Sequence, residues 1–599
     1  MRARDFLGPD GPLVQALGRY EHREGQLQMA AAVEGALAQD GLLMCEAGTG
    51  TGKTLAYLVP ALASGLRVVV STASKTLQEQ IMRKDLPLLE RCGLEAQTLL
   101  MKGLGNYICL RRLEEARLAA VEHPGGQRAL RVVHEFSDCS DNGDMVNMVG
   151  LAENHPVRRQ VNSSSDTRVG ARCPFFQNCF VTQNRRSAED AQLLVVNHHL
   201  FFADLAVRGA DHPGAALPPY DAVIFDEAHK LEEIAAGFFG ARISTSRLTR
   251  LLRDTERSTR RSRGDSLVPL CQRASKYVHQ LFERLNMLGD ARSNRTALTE
   301  QHLGAPIMAA YHALDNALVA LEGELRTQEH DATLHTATKR VRRVRKDLAT
   351  VMEPRGDSVV WLERDEGLAV VSAPVEIGSI LRDKLYDKGI AVVLTSASLT
   401  VGGDFSFLRQ RLGLDLPATA PCEQLQVAAA LDHRNQALLY TPTDLPHVND
   451  GDFVAQAVPR IVSMATATPG GTFVLCTSTA RMRAFAAGLR KRLKVLVLLQ
   501  GEAPKAALLE AFVDDGDAVL VATMSFWEGV DVPGTALQLV VIDRIPFPVP
   551  SDPLVRARSE RLEARGQSAF RDYMLPRAAM TLKQGFGRLL RTRSDRGVV

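Results

Sequence analysis

Short apolar runs of strand length recur along the chain: Leu42–Cys45, Val68–Ser71, Leu193–Val196, Ala222–Phe225, Ala391–Leu394, Thr472–Leu475, Ala518–Val521 and Leu537–Ile542. They are rich in Val, Leu and Ile and do not alternate with polar positions. That is the pattern of strands buried on both faces of a parallel sheet. Helical patterns over Gly52–Leu62 and Ala480–Leu493 lie between some of them, giving βα units. The runs fall into two groups, one before residue 400 and one after residue 470. The pattern predicts an α/β protein with two parallel-sheet domains.

Two stretches interrupt the first group. Residues 102–190 hold clustered cysteines and the polar run Asn162-Ser-Ser-Ser-Asp-Thr-Arg168, without a clear strand pattern. Residues 241–370 read as mostly helical and strongly charged. One segment there carries Arg247, Arg250, Arg253, Arg257, Arg260, Arg261 and Arg263, and another is Lys339-Arg-Val-Arg-Arg-Val-Arg-Lys346. Such charge runs suit a solvated helix face as well as a nucleic-acid surface. No solenoid-type repeat is found.

Composition narrows the class. At about 150 residues per domain, 599 residues predict three to five domains. With 45% hydrophobic and 24% charged residues, disordered and collagen-like chains are excluded. No apolar run approaches the roughly 18 residues of a membrane span. Met1-Arg-Ala-Arg-Asp-Phe-Leu-Gly-Pro-Asp10 lacks a signal peptide's apolar core. Both features predict a soluble protein of the reducing interior. Lys plus Arg is 72 against 69 Asp plus Glu, so any nucleic-acid surface must be a local patch. Nine cysteines, an odd number, argue against a disulfide framework. Cys45, Cys92, Cys139, Cys271, Cys422 and Cys476 are isolated and are expected to be small buried apolar residues. Cys109, Cys173 and Cys179 stand apart.

The chemistry begins at Glu46-Ala-Gly-Thr-Gly-Thr-Gly-Lys-Thr54, which follows a strand and opens a helix. Gly48, Gly50 and Gly52, with Thr49 and Thr51 between them, let the backbone wrap phosphates and turn N–H groups inward at a helix N-terminus. Lys53 reaches the outer phosphates, and the Thr54 hydroxyl is placed to ligate Mg²⁺. Ala47 stands where the general pattern has its first Gly. Downstream, Ala222-Val-Ile-Phe-Asp-Glu-Ala-His229 ends an apolar strand on adjacent carboxylates. At the C-terminal end of such a strand, side chains enter the ligand crevice. Asp226 can hold Mg²⁺, and Glu227 can act as general base on the attacking water. The pair is weak evidence alone and strong beside the glycine-rich loop. ATP and Mg²⁺ are therefore expected.

On these motifs the chain resembles a superfamily 2 helicase. Ser71-Thr-Ala-Ser74 with Leu77-Gln78 resembles the first DNA-contacting motif. Thr395-Ser-Ala-Ser-Leu399 resembles the motif that couples hydrolysis to DNA contact. Thr523–Gly534 resembles the fifth motif, and Gln584-Gly-Phe-Gly-Arg-Leu-Leu-Arg591 the sixth. The resemblance implies that Arg588 and Arg591 cross the cleft to the γ-phosphate, where spread charge calls for a guanidinium. It also implies that Gly529, Asp531 and Gln584 face the nucleotide. Arg23 and Gln26 resemble the motif that reads adenine.

Narrower features resemble the XPD/DinG branch, and within it the YoaA-type relatives of DinG: Trp527-Glu-Gly-Val-Asp531, Arg544-Ile-Pro-Phe-Pro548, Asn197-His-His-Leu-Phe201 and Lys102-Gly-Leu-Gly-Asn-Tyr-Ile-Cys109. The resemblance implies two RecA-like motor domains, with an iron–sulfur domain and a helical arch inserted in the first. The implied division is 1–101, 191–240 and 371–430 for the first motor and its linker, 102–190 for the iron–sulfur-type insertion, 241–370 for the arch and 431–599 for the second motor. No region is seen for the N-terminal exonuclease of some DinG relatives. The family's last strand is expected beyond Arg596-Gly-Val-Val599.

An iron–sulfur cluster normally takes four thiolates. Cys109, Cys173 and Cys179 match three of the family's ligands for a [4Fe-4S] cluster. Arg168 stands at the position of the remaining one, and Leu104 where the family has Arg. Three readings stay open: a four-ligand cluster completed by Cys139 or a non-Cys group, a labile three-thiolate cluster, or no cluster.

The resemblance as a whole implies an ATP-dependent DNA helicase moving 5′→3′ on single-stranded and forked DNA, in repair or replication. It further implies a bacterial cytoplasmic, nucleoid-associated protein with a repair or replication partner and no membrane contact. Phe526 and Trp527 can offer base stacking, although burial of at least one is the expectation. The competing reading is an ATP-driven translocase or remodeller that displaces proteins or assists a polymerase.

Overall fold

A computed structural model describes residues 2–17, 22–122, 127–208, 216–262, 266–288, 293–328, 332–354, 356–365, 367–416, 421–428, 431–523, 526, 532, 536–587, 589–590 and 595–599. Five strands come first: β1 (Leu42–Ala47), β2 (Val68–Thr72), β3 (Thr98–Leu100), β4 (Leu193–Asn197) and β5 (Ala222–Asp226). Four more, β6 (Ala241–Ser244), β7 (Arg295–Leu298), β8 (Ser358–Glu363) and β9 (Ala369–Pro374), make a separate antiparallel sheet in the order β6-β9-β8-β7. β10 (Ala391–Ser396) and β11 (Cys422–Val427) then rejoin the first sheet, whose order is β11-β1-β10-β5-β2-β4-β3. Every pairing in it is parallel.

The second parallel sheet holds β12 (Ala437–Leu438), β13 (Gly471–Cys476), β14 (Val497–Leu499), β15 (Val519–Thr523), β16 (Leu537–Ile542) and β17 (Gly597–Val598), in the order β12-β17-β16-β13-β15-β14. All eight apolar runs are strands of the two parallel sheets. β1, β2, β5, β10 and β13 are buried along their whole length, as their unbroken apolar sequence requires.

The arch region is mostly helical, as its pattern predicts, and also holds the antiparallel sheet. Its long helices Thr245–Ser262, Leu267–Asn286, Ala305–Thr327 and Ala332–Met352 share one apolar core with the antiparallel sheet. At residues 597–598, β17 pairs with both β16 and β12. The basic segments are partly internal to the arch: Arg340 pairs with Asp254, Arg247 with Asp347, and Arg345 with Asp315 and Glu322. Arg250, Arg253, Arg257 and Arg343 remain exposed. Of the isolated cysteines, Cys45, Cys271 and Cys476 are buried, Cys92 and Cys422 half-buried, and Cys139 exposed. Among the described residues, no helix is long and apolar enough to cross a membrane.

Candidate active site

Strand register assembles the site. Cys45 of β1 lies opposite Thr395 of β10, and Thr395 opposite Asp226 of β5. Glu46, Ser396 and Asp226 therefore emerge together at the C-terminal ends of three neighbouring parallel strands, where such sheets bind ligands. Gly50 (φ 80°) and Gly52 (φ 81°) take the left-handed conformation that turns the loop 48–52 into a cradle before the helix Lys53–Ala63. A Cβ on Gly52 would also stand 2.3 Å from Gln26 Nε2, which donates to the Gly52 carbonyl at 3.0 Å. Thr51 Oγ1 donates to the Gly48 carbonyl (2.8 Å), and Lys53 Nζ to those of Ala47 (3.0 Å) and Gly48 (3.5 Å). The loop is half-open, with its glycine backbone and the Lys53 ammonium fit to hold a polyphosphate.

Asp226 is buried beneath this loop. Its Oδ1 accepts from the Glu227 N–H (3.0 Å), and its Oδ2 from the Tyr57 hydroxyl (3.1 Å). Burial, followed by the neighbouring Glu227 charge, holds the Asp226 carboxyl well above the usual carboxylate range, against the pull of Lys53. Tyr57 is itself fully buried; burial raises its phenol pKa, and the Thr54 side chain pulls against that rise. The phenol thus adjoins both residues expected at Mg²⁺. A hard oxygen pair beside a phosphate cradle suits that ion.

Glu227 adopts φ 61°, ψ 45°, a left-handed conformation rare outside glycine. Strain of this kind, of order 1–3 kcal/mol, gathers at functional positions. The turn brings Glu227 Oε2 to Ser396 Oγ, which donates to it at 2.9 Å. Ser396 Oγ also bonds His229 Nδ1 (2.8 Å). Because the one hydroxyl proton goes to the carboxylate, His229 must carry its proton on Nδ1 in this arrangement.

The later half of the chain closes over these strand ends. Glu46, buried, accepts from the N–H groups of Leu399 and Thr400 (both 2.7 Å), from Thr400 Oγ1 (2.8 Å), from Gln426 Nε2 (3.1 Å) and from Lys583 Nζ (2.7 Å). Burial opposes ionisation, but the Lys583 and backbone donors outweigh it and lower the Glu46 pKa. Gln584 Nε2 donates to Ser398 Oγ (2.9 Å), and a Cβ on Gly587 would lie 3.6 Å from Thr49 Cγ2. Nearby, fully buried Glu232 meets Arg411 (2.5 and 2.7 Å), Arg558 (3.0 Å) and Arg577 (3.2 Å).

The structure therefore brings Gln26, Gly48–Thr54, Asp226, Glu227 and Gln584 around one crevice, with Arg23 half-buried just ahead of the helix Glu24–Ala38 that carries Gln26. Trp527, Gly529, Asp531, Arg588 and Arg591 lie outside the described residues. Ser71 and Gln78 are wholly buried, so their side chains are not a DNA-facing surface; Ser71 Oγ instead bonds His198 Nδ1 (2.7 Å). Phe526 is buried with Lys505 Nζ 5.0 Å from its ring centre, and so presents no stacking face. Sequence reasoning missed Tyr57, Lys583 and Glu232, and gave Glu46 and Ser396 no individual role within the motifs that contain them. Tyr57 carried one available signal, a position one helical turn beyond Thr54.

The cysteines do not assemble as a ligand set. Cys109, Cys139, Cys173 and Cys179 are all described, yet among the described residues no three His, Cys, Asp or Glu side chains gather as a metal centre requires. Cys139 is exposed at the end of the helix Gln127–Cys139 and joins no such group among the described residues. Arg168 contributes a guanidinium, which has no free donor pair for a metal. The donor set does not fit a [4Fe-4S] cluster.

Comparison with known proteins gives the family. Residues 25–121 match the DEAD/DEAH box helicase family, and residues 461–599 the helicase C-terminal domain. The chain is 36% identical over 607 residues to the ATP-dependent DNA helicase YoaA of Escherichia coli, covering 99% of this chain and 93% of that one. It is 33% identical over 623 residues to the ATP-dependent helicase DinG of Mycobacterium tuberculosis, covering 98% and 90%. In fold it is similar to S. tokodaii Xpd4, with a TM-score of 0.58 at 15% identity, covering 96% of this chain and 94% of that one.

Proposed function

This chain belongs to the XPD/DinG-type helicases and is an ATP-driven DNA helicase, and on that footing we propose that it moves 5′→3′ along single-stranded DNA, opens forked duplexes, and serves DNA repair or replication. The observation that carries the proposal is the convergence of Lys53, Asp226 and Glu227 at the ends of strands whose crevice is closed by residues from the other parallel-sheet domain. The polarity rests on the resemblance to the branch. The proposed setting is the bacterial cytoplasm, with a repair or replication protein as partner.

In this mechanism the N–H groups of Gly48–Gly52 and the Lys53 ammonium orient the triphosphate. Thr54 and Asp226 would hold Mg²⁺, which draws charge from the β- and γ-phosphates. Glu227, aimed by Ser396 and His229, takes the proton of the attacking water. Arg588 and Arg591 meet the charge that develops on the transferred phosphoryl. Gln584 and Lys583 relay closure through Ser398 and Glu46 to the Thr395–Leu399 segment. A translocating groove of this kind grips backbone phosphates without reading sequence.

The test pairs Lys53→Ala with duplexes carrying only a 5′ or only a 3′ single-stranded tail. The wild type should open the 5′-tailed duplex, and the variant should lose ATP turnover. Opening of the 3′-tailed duplex alone overturns the polarity. ATP-dependent clearing of bound protein without strand separation would replace unwinding with remodelling.

A further inference from the structure

The region 102–190 has what a domain needs to hold its shape without metal. It encloses its own apolar core, which includes Ile108, Leu113, Val133, Met145, Val161 and Phe180. Its irregular segments are tied down by basic side chains bonded to backbone carbonyls. Arg158, buried, donates to the carbonyls of Met148 (3.1 Å), Leu151 (2.6 Å) and Met145. Arg112 donates to the carbonyls of Asn162 (2.6 Å) and Arg159 (3.2 Å), and Arg111 to that of Thr167 (2.8 Å). Lys102 and Asp144, both buried, pair at 2.6 Å. Hydrogen bonds from charged donors are the stronger kind, and they fix loops that a small metal-folded domain leaves to its ligands.

Arg168 belongs to this set. Its Nη2 donates to Thr182 Oγ1 at 3.2 Å, one turn into the helix Phe180–Asp190 that Cys179 opens. Arg185, on the same helix, is half-buried, and burial followed by the Arg168 charge lowers its pKa against the pull of Asp204 and Cys179. A guanidinium has no lone pair to donate to iron, so Arg168 cannot take the place of a thiolate ligand. We infer that residues 102–190 of this chain form a metal-free domain, in which Arg168 acts as a polar staple at the place where a cluster-bearing relative has a thiolate.

The experiment uses the full chain, purified without oxygen and then taken through iron–sulfide reconstitution, with iron, zinc and acid-labile sulfide measured at both stages. No stoichiometric metal or sulfide is expected at either stage. Limited proteolysis supplies a second readout. Cleavage within 162–179 should be unchanged by a chelator in the wild type and several-fold faster in Arg168→Ala. Three or four irons with matching sulfide, or one zinc per chain, overturns the inference. Chelator-sensitive cleavage of the wild type overturns it as well, and an Arg168→Ala chain cleaved at the wild-type rate removes the staple.

Discussion

Lys583 Nζ lies 2.7 Å from Glu46 Oε1 although 537 residues separate the two. The ammonium is the only charge among the five donors that converge on this carboxylate, and it comes from the helix Leu575–Phe586 of the closing domain. Lys583 is 42% exposed, so solvent screens the pair and its net worth is about 1 kcal/mol. Lys583→Met should lower DNA-stimulated ATP turnover about fivefold while nucleotide affinity changes little. Steady-state ATPase with and without single-stranded DNA checks this; equal loss in both conditions would place Lys583 outside the coupling.

Tyr57 supplies the donor that aims Asp226 Oδ2 at its task. Removing an outer hydrogen-bond partner of a metal ligand typically costs about 10–100-fold in metal affinity. Tyr57→Phe should therefore raise the half-saturating Mg²⁺ concentration about tenfold, with the ring still filling its buried place. A magnesium titration of ATPase at saturating ATP reads it. A fall in turnover that excess magnesium does not restore would refute the role.

Ser396 holds Glu227 through a bond made possible by the left-handed turn at that residue. Ser396→Ala removes this hydroxyl donor from the carboxylate and leaves the phosphate loop untouched. Turnover should fall about tenfold at an unchanged KM for ATP, the signature of an interaction made mainly in the transition state. A raised KM with normal turnover would assign Ser396 to binding instead.

Glu232 gives the fold an acid-sensitive tie between the domains. Burial alone would raise its pKa, but Arg558, Arg411 and Arg577 together bring it down to about 2. A depressed carboxylate stabilises the fold fully above its unfolded value near 4.5 and loses that contribution as pH falls toward 2. Glu232→Gln leaves three guanidinium groups facing an uncharged amide, a change worth about 3–5 kcal/mol. Melting curves from pH 7 to 3 should show a lowered midpoint at neutral pH and a flatter acid limb for the variant. Parallel curves for the two proteins would count against the tie.

The motor sheets were legible because parallel strands buried on both faces leave unbroken Val, Leu and Ile runs. β11, Cys-Glu-Gln-Leu-Gln-Val, was not, since it lies at a sheet edge and only Val427 is fully buried. The antiparallel sheet of the arch escaped notice because its strands are short and set among long charged helices. Within the site, the phosphate loop and the acidic strand end follow local rules of backbone and charge. Glu46 and Lys583 depend on which distant elements meet, and nothing near them in the chain records that. The cysteines were the harder lesson. The family resemblance suggested a ligand set, whereas among the described residues those thiols do not gather as one.

The order β11-β1-β10 has a consequence for synthesis on the ribosome. β1, which leads into the phosphate loop, ends at residue 47, yet its neighbours begin only at residues 391 and 422. At about 5–20 residues per second, the strand spends on the order of half a minute with both edges unpaired. Exposed apolar edges of that kind recruit other chains. Truncations that stop short of β10 should therefore emerge as aggregates, which sedimentation of the truncated chains against the full-length protein checks.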